Sequence, residues 1–409
     1  MRLLMIAPQP IFEPRGAPFC VYQHIQALVE LGYEIDLVTY PMGKHIELPN
    51  LTIYRAPRIP FIPGVKPGPS LAKFPLDLLV FLTALWRLCR RRYQYICTHE
   101  EAALLAMPLA FIFGCKHLYY MHCNLAELIS ENPLIFRCAQ AVQKFMVRRA
   151  DAVIAFYPEL ALSAKRMAPK KAIHTILPPS VDEGLPEATA EDVSRLQQVL
   201  DLRDEPVLLY TGTLENYQGL DLLLQSVVTV RAAFPTARYV IVGGKPQQVE
   251  QLKSLASDLG IADVVRFVGQ RPLEEMPQYM AMASVLLSPR SKANHVPLKL
   301  YTYLHSGKPI LATNILSHTQ ILSPEIAMLV PPTPEGLAQG TLELLRGPER
   351  AQALGENGQR FAQEHYSWPV FVEKCGQAYD QFTGQTDDQL ISLAHEHRGN
   401  TVRKKLTKG

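Results

Sequence analysis

The sequence predicts an α/β protein made of two doubly wound, Rossmann-like domains. Three observations predict it. Short apolar runs alternate with helical patterns over the first 180 residues. The alternation is interrupted by LPPSVDEGLPEATAED (177–192), rich in proline, acids and small residues, and then restarts. The runs are mostly continuous rather than alternating, as expected of parallel strands covered on both faces.

In the first half, LLMIA (3–7) reads as a buried strand. The turn-rich PQPIFEPRGAP follows, then a helix, FCVYQHIQALVELG, closed by Gly32, then EIDLVTY (34–40). Together they make a βαβ unit. TIYRA, YQYICTH, KHLYYMH and DAVIAF supply further strands. In the second half PVLLYTG, RYVIVGG, VVRFVG, SVLLSP, PILATN and IAMLVPP are strands with helices between most of them. The expected organisation is a first domain over 1–180, a linker over 181–204 and a second domain over 205–366. A closing helix over 367–383 and a frayed basic tail over 384–409 complete it. In open sheets of this kind, ligands bind at the carboxyl ends of the strands, so two such sheets facing each other would place a site in the cleft between them.

The composition is 48% hydrophobic and 19% charged, which excludes a disordered chain. A net charge of +3 gives no argument for a nucleic-acid partner. The seven cysteines show no CxxC spacing and most fall in apolar runs. They read as reduced core thiols of a cytoplasmic protein, and no His/Cys cluster has the spacing of a metal site. MRLLMIAPQP has too short an apolar core for a signal peptide, and no run reaches the ~18 apolar residues of a membrane span.

Four stretches carry candidate chemistry. In PLKLYTYLHSGKPILATN (297–314), Pro297 suits a first helical position and Gly307 the position past the end, so a helix over about 297–306 is expected. Its amino end, with Lys299 in the first turn and Arg290 and Lys292 upstream, suits a phosphate or pyrophosphate, or is an ordinary helix start with surface lysines. In YTGTLENYQGLDLL (210–223), the backbone N–H groups of Gly212 and Thr213 can approach an anion. Gly243, in VGGKPQQ, is a similar glycine turn. In FEPRGAPFCVYQHI (12–25), Gly16 would let a ligand approach the backbone and Arg15 would contact phosphate or acceptor hydroxyls, or the pair is a surface turn. Last, His122 ends the strand of YYMHCNLAEL, and His99, Glu100 and Glu101 sit at another strand end. His122 is a cleft residue or a structural histidine. The acidic pair binds acceptor hydroxyls or charges a helix amino end favourably.

Together these stretches resemble the glycosyltransferase family 4 (group 1) retaining enzymes of the GT-B fold, over about residues 1–382. RLLMIAPQPIFEPRGAPFCVYQHIQALVELGYEIDLVTY is similar to the family's start, and RRADAVIAFYPEL to its strand before the linker. LYTGTLENYQGLDLLLQSV and KLYTYLHSGKPILATN look like its donor-binding motifs, and YSWPVFVEKCGQAYDQF like its closing helix. The resemblance implies a nucleotide-diphosphate sugar donor held mainly by the second domain, and transfer with retention, without a metal or other cofactor. His122 matches the histidine that orients the donor sugar, and Gly16 the loop nearest the reaction centre; with Lys299 they form the expected catalytic set. Gly212, Thr213, Gln218, Gly243, Arg290, Asn294, Leu298, Lys299 and Thr302 fall at the expected donor contacts, and Arg15, His99 and Glu100 at the acceptor side. Thr213 and Gln218 stand where many relatives carry an arginine and a lysine. Asn294 and Thr302 stand where many carry two glutamates eight positions apart. These departures leave three readings: an active transferase with an altered cradle, a silent GT-B protein that binds a partner, or a sugar-nucleotide epimerase.

FPLDLLVFLTALWRLCRRRYQY (74–95) is an apolar helix with a basic end, and QKFMVRRAD adds another. The profile is that of an interfacial helix on an anionic leaflet or of a core helix with a solvated end. The first reading implies a peripheral protein on the inner face of a membrane, with a saccharide or lipid-linked acceptor.

Overall fold

The computed structural model describes residues 1–13, 16–60, 62, 65, 73–126, 133–181 and 184–383. The chain forms two units. One is Met1–Pro178 together with the chain from Pro369; the other is Pro179–Trp368. The segment expected as a linker holds a helix, Ala190–Val199, belonging to the second unit. Thr189 and Asp192 form a reciprocal capping box at its start, which is why the helix begins there despite the polar composition.

The first unit contains strands β1 (Arg2–Ala7), β2 (Glu34–Thr39), β3 (Leu51–Arg55), β4 (Tyr95–His99), β5 (Lys116–Met121), β6 (Ala152–Ala155) and β7 (Ala172–Thr175). They form a parallel sheet in the order β3-β2-β1-β4-β5-β6-β7. β7 is the strand that sequence pattern did not show; AIHT is too short and too polar to stand out. The reversal of order beside β1 is the topological switch point of a doubly wound sheet.

Helices α1 (Gly16–Glu30), α2 (Lys73–Arg90), α3 (Ala102–Phe113), α4 (Pro133–Arg149) and α5 (Pro158–Met167) connect these strands. Alternation along β4 divides the two faces. Ile96 packs with Leu76, Val80, Ala106 and Leu109 of α2 and α3. Cys97, its neighbour, points the other way and accepts a hydrogen bond from the Tyr379 hydroxyl at 3.3 Å. Tyr379 belongs to the closing helix Trp368–Thr383, which also meets α1, where His24 lies 5.7 Å from the Tyr379 ring, and the turn after α1, where Tyr33 and Tyr379 cross edge to face. The closing helix thus completes the core of the first unit.

The second unit contains β8 (Val207–Thr211), β9 (Arg238–Val242), β10 (Val265–Gly269), β11 (Val285–Ser288), β12 (Ile310–Thr313) and β13 (Met328–Val330). Their order is β10-β9-β8-β11-β12-β13, all parallel. Leu208, Tyr210, Leu287 and Leu311 build its core against Leu223, Val227 and Leu337 from the covering helices. Because every strand runs the same way, all the loops following β8, β9, β11 and β12 emerge on one edge.

One buried ion pair ties α2 to the first sheet. Arg87 donates to Asp36 Oδ2 at 2.8 Å, both side chains are almost fully buried, and Tyr93 donates to the same oxygen. Arg87 also lies 3.9 Å over the Tyr54 ring. Removing Asp36 leaves a buried guanidinium without its anion. Asp36→Ala is expected to destabilise the protein by about 3–5 kcal/mol, read by urea unfolding. Adding Arg87→Met to it should recover much of the loss.

Candidate functional site

The carboxyl edge of the second sheet carries two cations. Arg290 follows β11 and is only 3% exposed. Thr313, at the end of β12, donates from its hydroxyl to the Arg290 carbonyl at 2.6 Å and so fixes the backbone there. The guanidinium donates Nε–H to Gln218 Oε1 at 3.2 Å and Nη1–H to the His295 carbonyl at 2.8 Å, and stacks toward Tyr217. Gln218 in turn donates to Thr213 Oγ1 at 3.2 Å. Every one of these acceptors is neutral.

Lys299 opens a short helix, Lys299–His305. Its ammonium lies 3.6 Å over the Tyr210 ring and 3.4 Å from the Leu287 carbonyl. Among the described residues neither Arg290 nor Lys299 has a carboxylate within ion-pair distance. Burial and the neighbouring Arg290 charge hold the Lys299 pKa well below its ordinary value, and burial also lowers that of Arg290. Two basic groups held by neutral partners leave positive charge at this edge of the sheet.

Several sequence expectations change here. The helix expected over 297–306 is confined to Lys299–His305, because Leu300 N–H bonds the Pro297 carbonyl and makes Pro297–Leu298 the entering turn. Such a short helix brings little dipole, so the positive charge of the site is that of the side chains. Gly212 was expected to offer its N–H to an anion, but it donates to the Val242 carbonyl at 3.0 Å, inside the sheet pattern. Gly212 and Gly243 have φ of +136° and +120°. A side chain at Gly243 would strike the Gly212 carbonyl, so this glycine allows two strand ends to cross closely. Thr302 is buried, and its hydroxyl accepts from Ser180 Oγ at 3.0 Å and lies 3.4 Å from Val181 N. It is engaged by its own chain and does not stand open to a ribose. Asn294 is exposed, and Leu298 is half-buried.

The first unit gathers histidines at the carboxyl ends of β4 and β5. His122 Nε2 lies 2.9 Å from His99 Nδ1, and His122 Nδ1 has no hydrogen-bond partner among the described residues. Tyr120 stacks on His99 at 4.9 Å, and His24 of α1 lies 4.6 Å from Tyr120. Burial pushes the pKa of His122 and of His24 down to about 3, and lowers that of His99 as well, so all three imidazoles are neutral near pH 7. His99 was expected on the acceptor side, but it is fully buried. Its Nδ1 faces His122 Nε2 and fixes the orientation of that ring.

Gly16 begins α1 with φ of +41° and open space where a Cβ would stand. Arg15 lies outside the described residues. Glu100 is in left-handed backbone, φ +53°, an uncommon conformation for glutamate, and accepts from the Cys123 thiol at 3.2 Å. Glu101 pairs with Lys73 at 3.1 Å.

Sequence spacing showed no His/Cys group, yet the fold makes one. Ligand atoms of His24, Cys97 and His99 lie within 4.8 Å of one another, all buried. Imidazole and thiolate are the donors zinc takes, but burial raises the Cys97 thiol to about 12, against ionisation. Cys97 and His99 share a face of β4 at i and i+2, and His24 reaches them only through the packing of α1. An isolated polar residue inside the apolar face of α1 was the single signal available for His24.

Comparison with known proteins agrees with this architecture. The family model described as "Glycosyltransferase Family 4" matches residues 14–183, and "Glycosyl transferases group 1" matches 193–361. The GDP-mannose-dependent alpha-(1-6)-phosphatidylinositol monomannoside mannosyltransferase of Mycolicibacterium smegmatis is 30% identical over 200 residues, 47% of this chain and 52% of that protein. The chain thus matches about half the length of this curated relative. Sucrose-phosphate synthase from Thermosynechococcus elongatus superposes with a TM-score of 0.78 at 21% identity, over 94% of this chain and 100% of that one. HepE of Anabaena, solved in complex with UDP, gives a TM-score of 0.74 at 17% identity, over 93% and 100%. The chain belongs to the group 1, family 4-like glycosyltransferases and has the GT-B architecture.

Glu100 gives this region a pH signature. Burial, with the Glu101 charge beside it, raises its pKa from 4.5 to about 8. The unfolded glutamate is ionised above about 4.5 while the folded one stays protonated, so unfolding releases a proton and stability falls as pH rises from about 5 to 8. Glu100→Gln should flatten that fall, raising the melting temperature at pH 8 and leaving it little changed near pH 4.

Proposed function

We propose that the protein is a retaining glycosyltransferase. It would transfer a hexose-type sugar from a nucleotide-diphosphate donor to a saccharide or lipid-linked acceptor, in the cytoplasm, in the synthesis of a cell-envelope polysaccharide or glycolipid. The observation that carries this reading is a pair of basic side chains at the carboxyl edge of the second sheet, the buried Arg290 and the half-buried Lys299, neither with a carboxylate partner among the described residues. A diphosphate supplies the missing charge. In the transition state the departing diphosphate gains negative charge, and fixed cations in a water-poor site stabilise it without reorganising. With two side-chain cations on the diphosphate, the reading needs no metal for that task.

The relatives add support of a coarser kind. The mycolicibacterial relative is described as using GDP-mannose and a phosphatidylinositol monomannoside, which is a nucleotide-sugar donor and a lipid-linked acceptor. In a front-face retaining transfer the leaving phosphate accepts the acceptor's proton, so the protein's part is positioning and charge stabilisation. Neither Asn294 nor Thr302 is then required as a proton carrier. A neutral His122 serves by hydrogen bonding, with His99 holding its ring, and its part lies in transfer rather than in donor capture.

Donor binding is expected to depend on charge as follows. Lys299→Ala weakens nucleotide-sugar affinity by at least about tenfold, as expected for loss of a charge-assisted contact. Gln218→Glu, nearly the same shape, gives Arg290 a counter-ion and weakens binding comparably; unchanged affinity in both variants would remove the diphosphate from this site. Wild-type affinity falls as pH rises through the depressed pKa of Lys299, because only the ammonium binds the diphosphate. Thermal stabilisation by UDP-, GDP-, ADP- and dTDP-sugars identifies the base; a donor at ~100 times its Kd adds about 2.7 kcal/mol. His122→Ala is expected to cut kcat far more than donor affinity, in a turnover assay that follows release of the nucleoside diphosphate.

A further inference from the structure

The helical layer formed by α2, α3 and α4 has an outer face unlike the rest of the first unit. α2 and α3 pack side by side, as do α3 and α4. α2 turns Phe74, Leu78, Leu82 and Trp86 outward at intervals of four residues. α3 exposes Leu104, Phe111 and Ile112, with Phe111 at 89%. α4 exposes Leu134, Ile135, Val142 and Phe145. Three adjacent helices thus each present an apolar stripe to solvent, on the side away from the closing helix. Single exposed hydrophobic residues are ordinary, but a continuous patch of this kind marks an interaction surface.

The charge of the same layer has one sign. α3 and α4 contain no acidic residue, and α2 contains one, Asp77, which accepts a hydrogen bond from Tyr40 at 2.5 Å. Against this stand the exposed Arg90, Arg91 and Arg92 at the end of α2 and Arg137, Lys144, Arg148 and Arg149 on α4. Arg90 lies 5.0 Å over the Trp86 ring, and Arg149 5.5 Å over that of Phe145, so basic groups border the aromatic ones. Among the described residues no helix is long and apolar enough to cross a membrane.

We propose that this face docks on the surface of an anionic lipid bilayer, with the apolar stripes at the level of the headgroup–acyl boundary and the arginines on lipid phosphates. Burial of apolar side chains and attraction of basic ones to an anionic leaflet are the two contributions that hold an interfacial protein, and this layer carries both. A protein partner of acidic and apolar character or a second copy of this chain would meet the same face, and the test separates them. The inference stands on the first unit alone and does not depend on the transferase reading.

The test uses the full chain and vesicles of phosphatidylcholine with and without phosphatidylglycerol. Co-sedimentation is expected with the anionic vesicles, much weaker with the neutral ones, and reduced by salt. Trp86 emission is expected to be quenched by brominated lipid, and Trp86→Phe removes that quenching while binding persists. Leu78→Glu with Phe111→Glu should lower partitioning about tenfold or more, and reversal of Arg90, Arg91 and Arg92 to glutamate should do the same. These residues are exposed, so an unchanged melting temperature confirms that the variants fold. Absence of vesicle binding overturns the proposal. So does binding without Trp86 quenching, which would place another surface on the lipid. A dimer in solution that the Leu78/Phe111 variant dissociates, without any vesicle binding, would assign the face to a second copy.

Discussion

The burial of Arg290, with no carboxylate partner among the described residues, is the constraint on which the carboxyl edge of the second sheet depends. A guanidinium cannot shed its charge to suit an apolar surrounding, so its surroundings must meet it with hydrogen bonds. They do so with neutral groups, the Gln218 amide and the His295 carbonyl, while Thr313 fixes the backbone from the neighbouring strand. Lys299 then adds a second charge over Tyr210, held by the face of an aromatic ring instead of a carboxylate. Charge held by neutral groups in this way costs desolvation energy that hydrogen bonds only partly offset.

The first unit handles polarity the opposite way. Its buried carboxylate and arginine, Asp36 and Arg87, are paired and stabilise the sheet–helix contact. Its buried histidines are neutralised by desolvation and linked to each other. A neutral His122, with one nitrogen held and the other without a partner among the described residues, is suited to a directional hydrogen bond and unsuited to proton delivery near pH 7. The second unit thus keeps its charge at the sheet edge, and the first unit keeps its buried imidazoles neutral.

The altered positions of the family pattern acquire physical meaning in this light. Thr213 and Gln218, which replace expected cations, are not idle; they form the hydrogen-bonded chain that supports Arg290. Thr302, in place of an expected acid, anchors the chain at Ser180 and Val181.

The alternation of apolar runs and helical patterns, with strands unbroken by polar residues, was enough to determine an α/β chain of two doubly wound halves, because burial on both faces of a parallel sheet leaves that signature in the residues themselves. It also marked His122 as the end of an apolar strand run, and Lys299 as the start of a helix by the punctuation of Pro297 and Gly307, with Arg290 just upstream. What it could not reveal was the state of each group. That Lys299 lies over the Tyr210 ring, that the Gly212 amide is already used by the sheet and that the buried His99 meets His122 depend on neighbours far away in the chain. The trio His24, Cys97 and His99 and the shared apolar face of α2, α3 and α4 are likewise products of packing. Desolvation and hydrogen-bond satisfaction are set by what surrounds a side chain in space, and only the tertiary structure decides that.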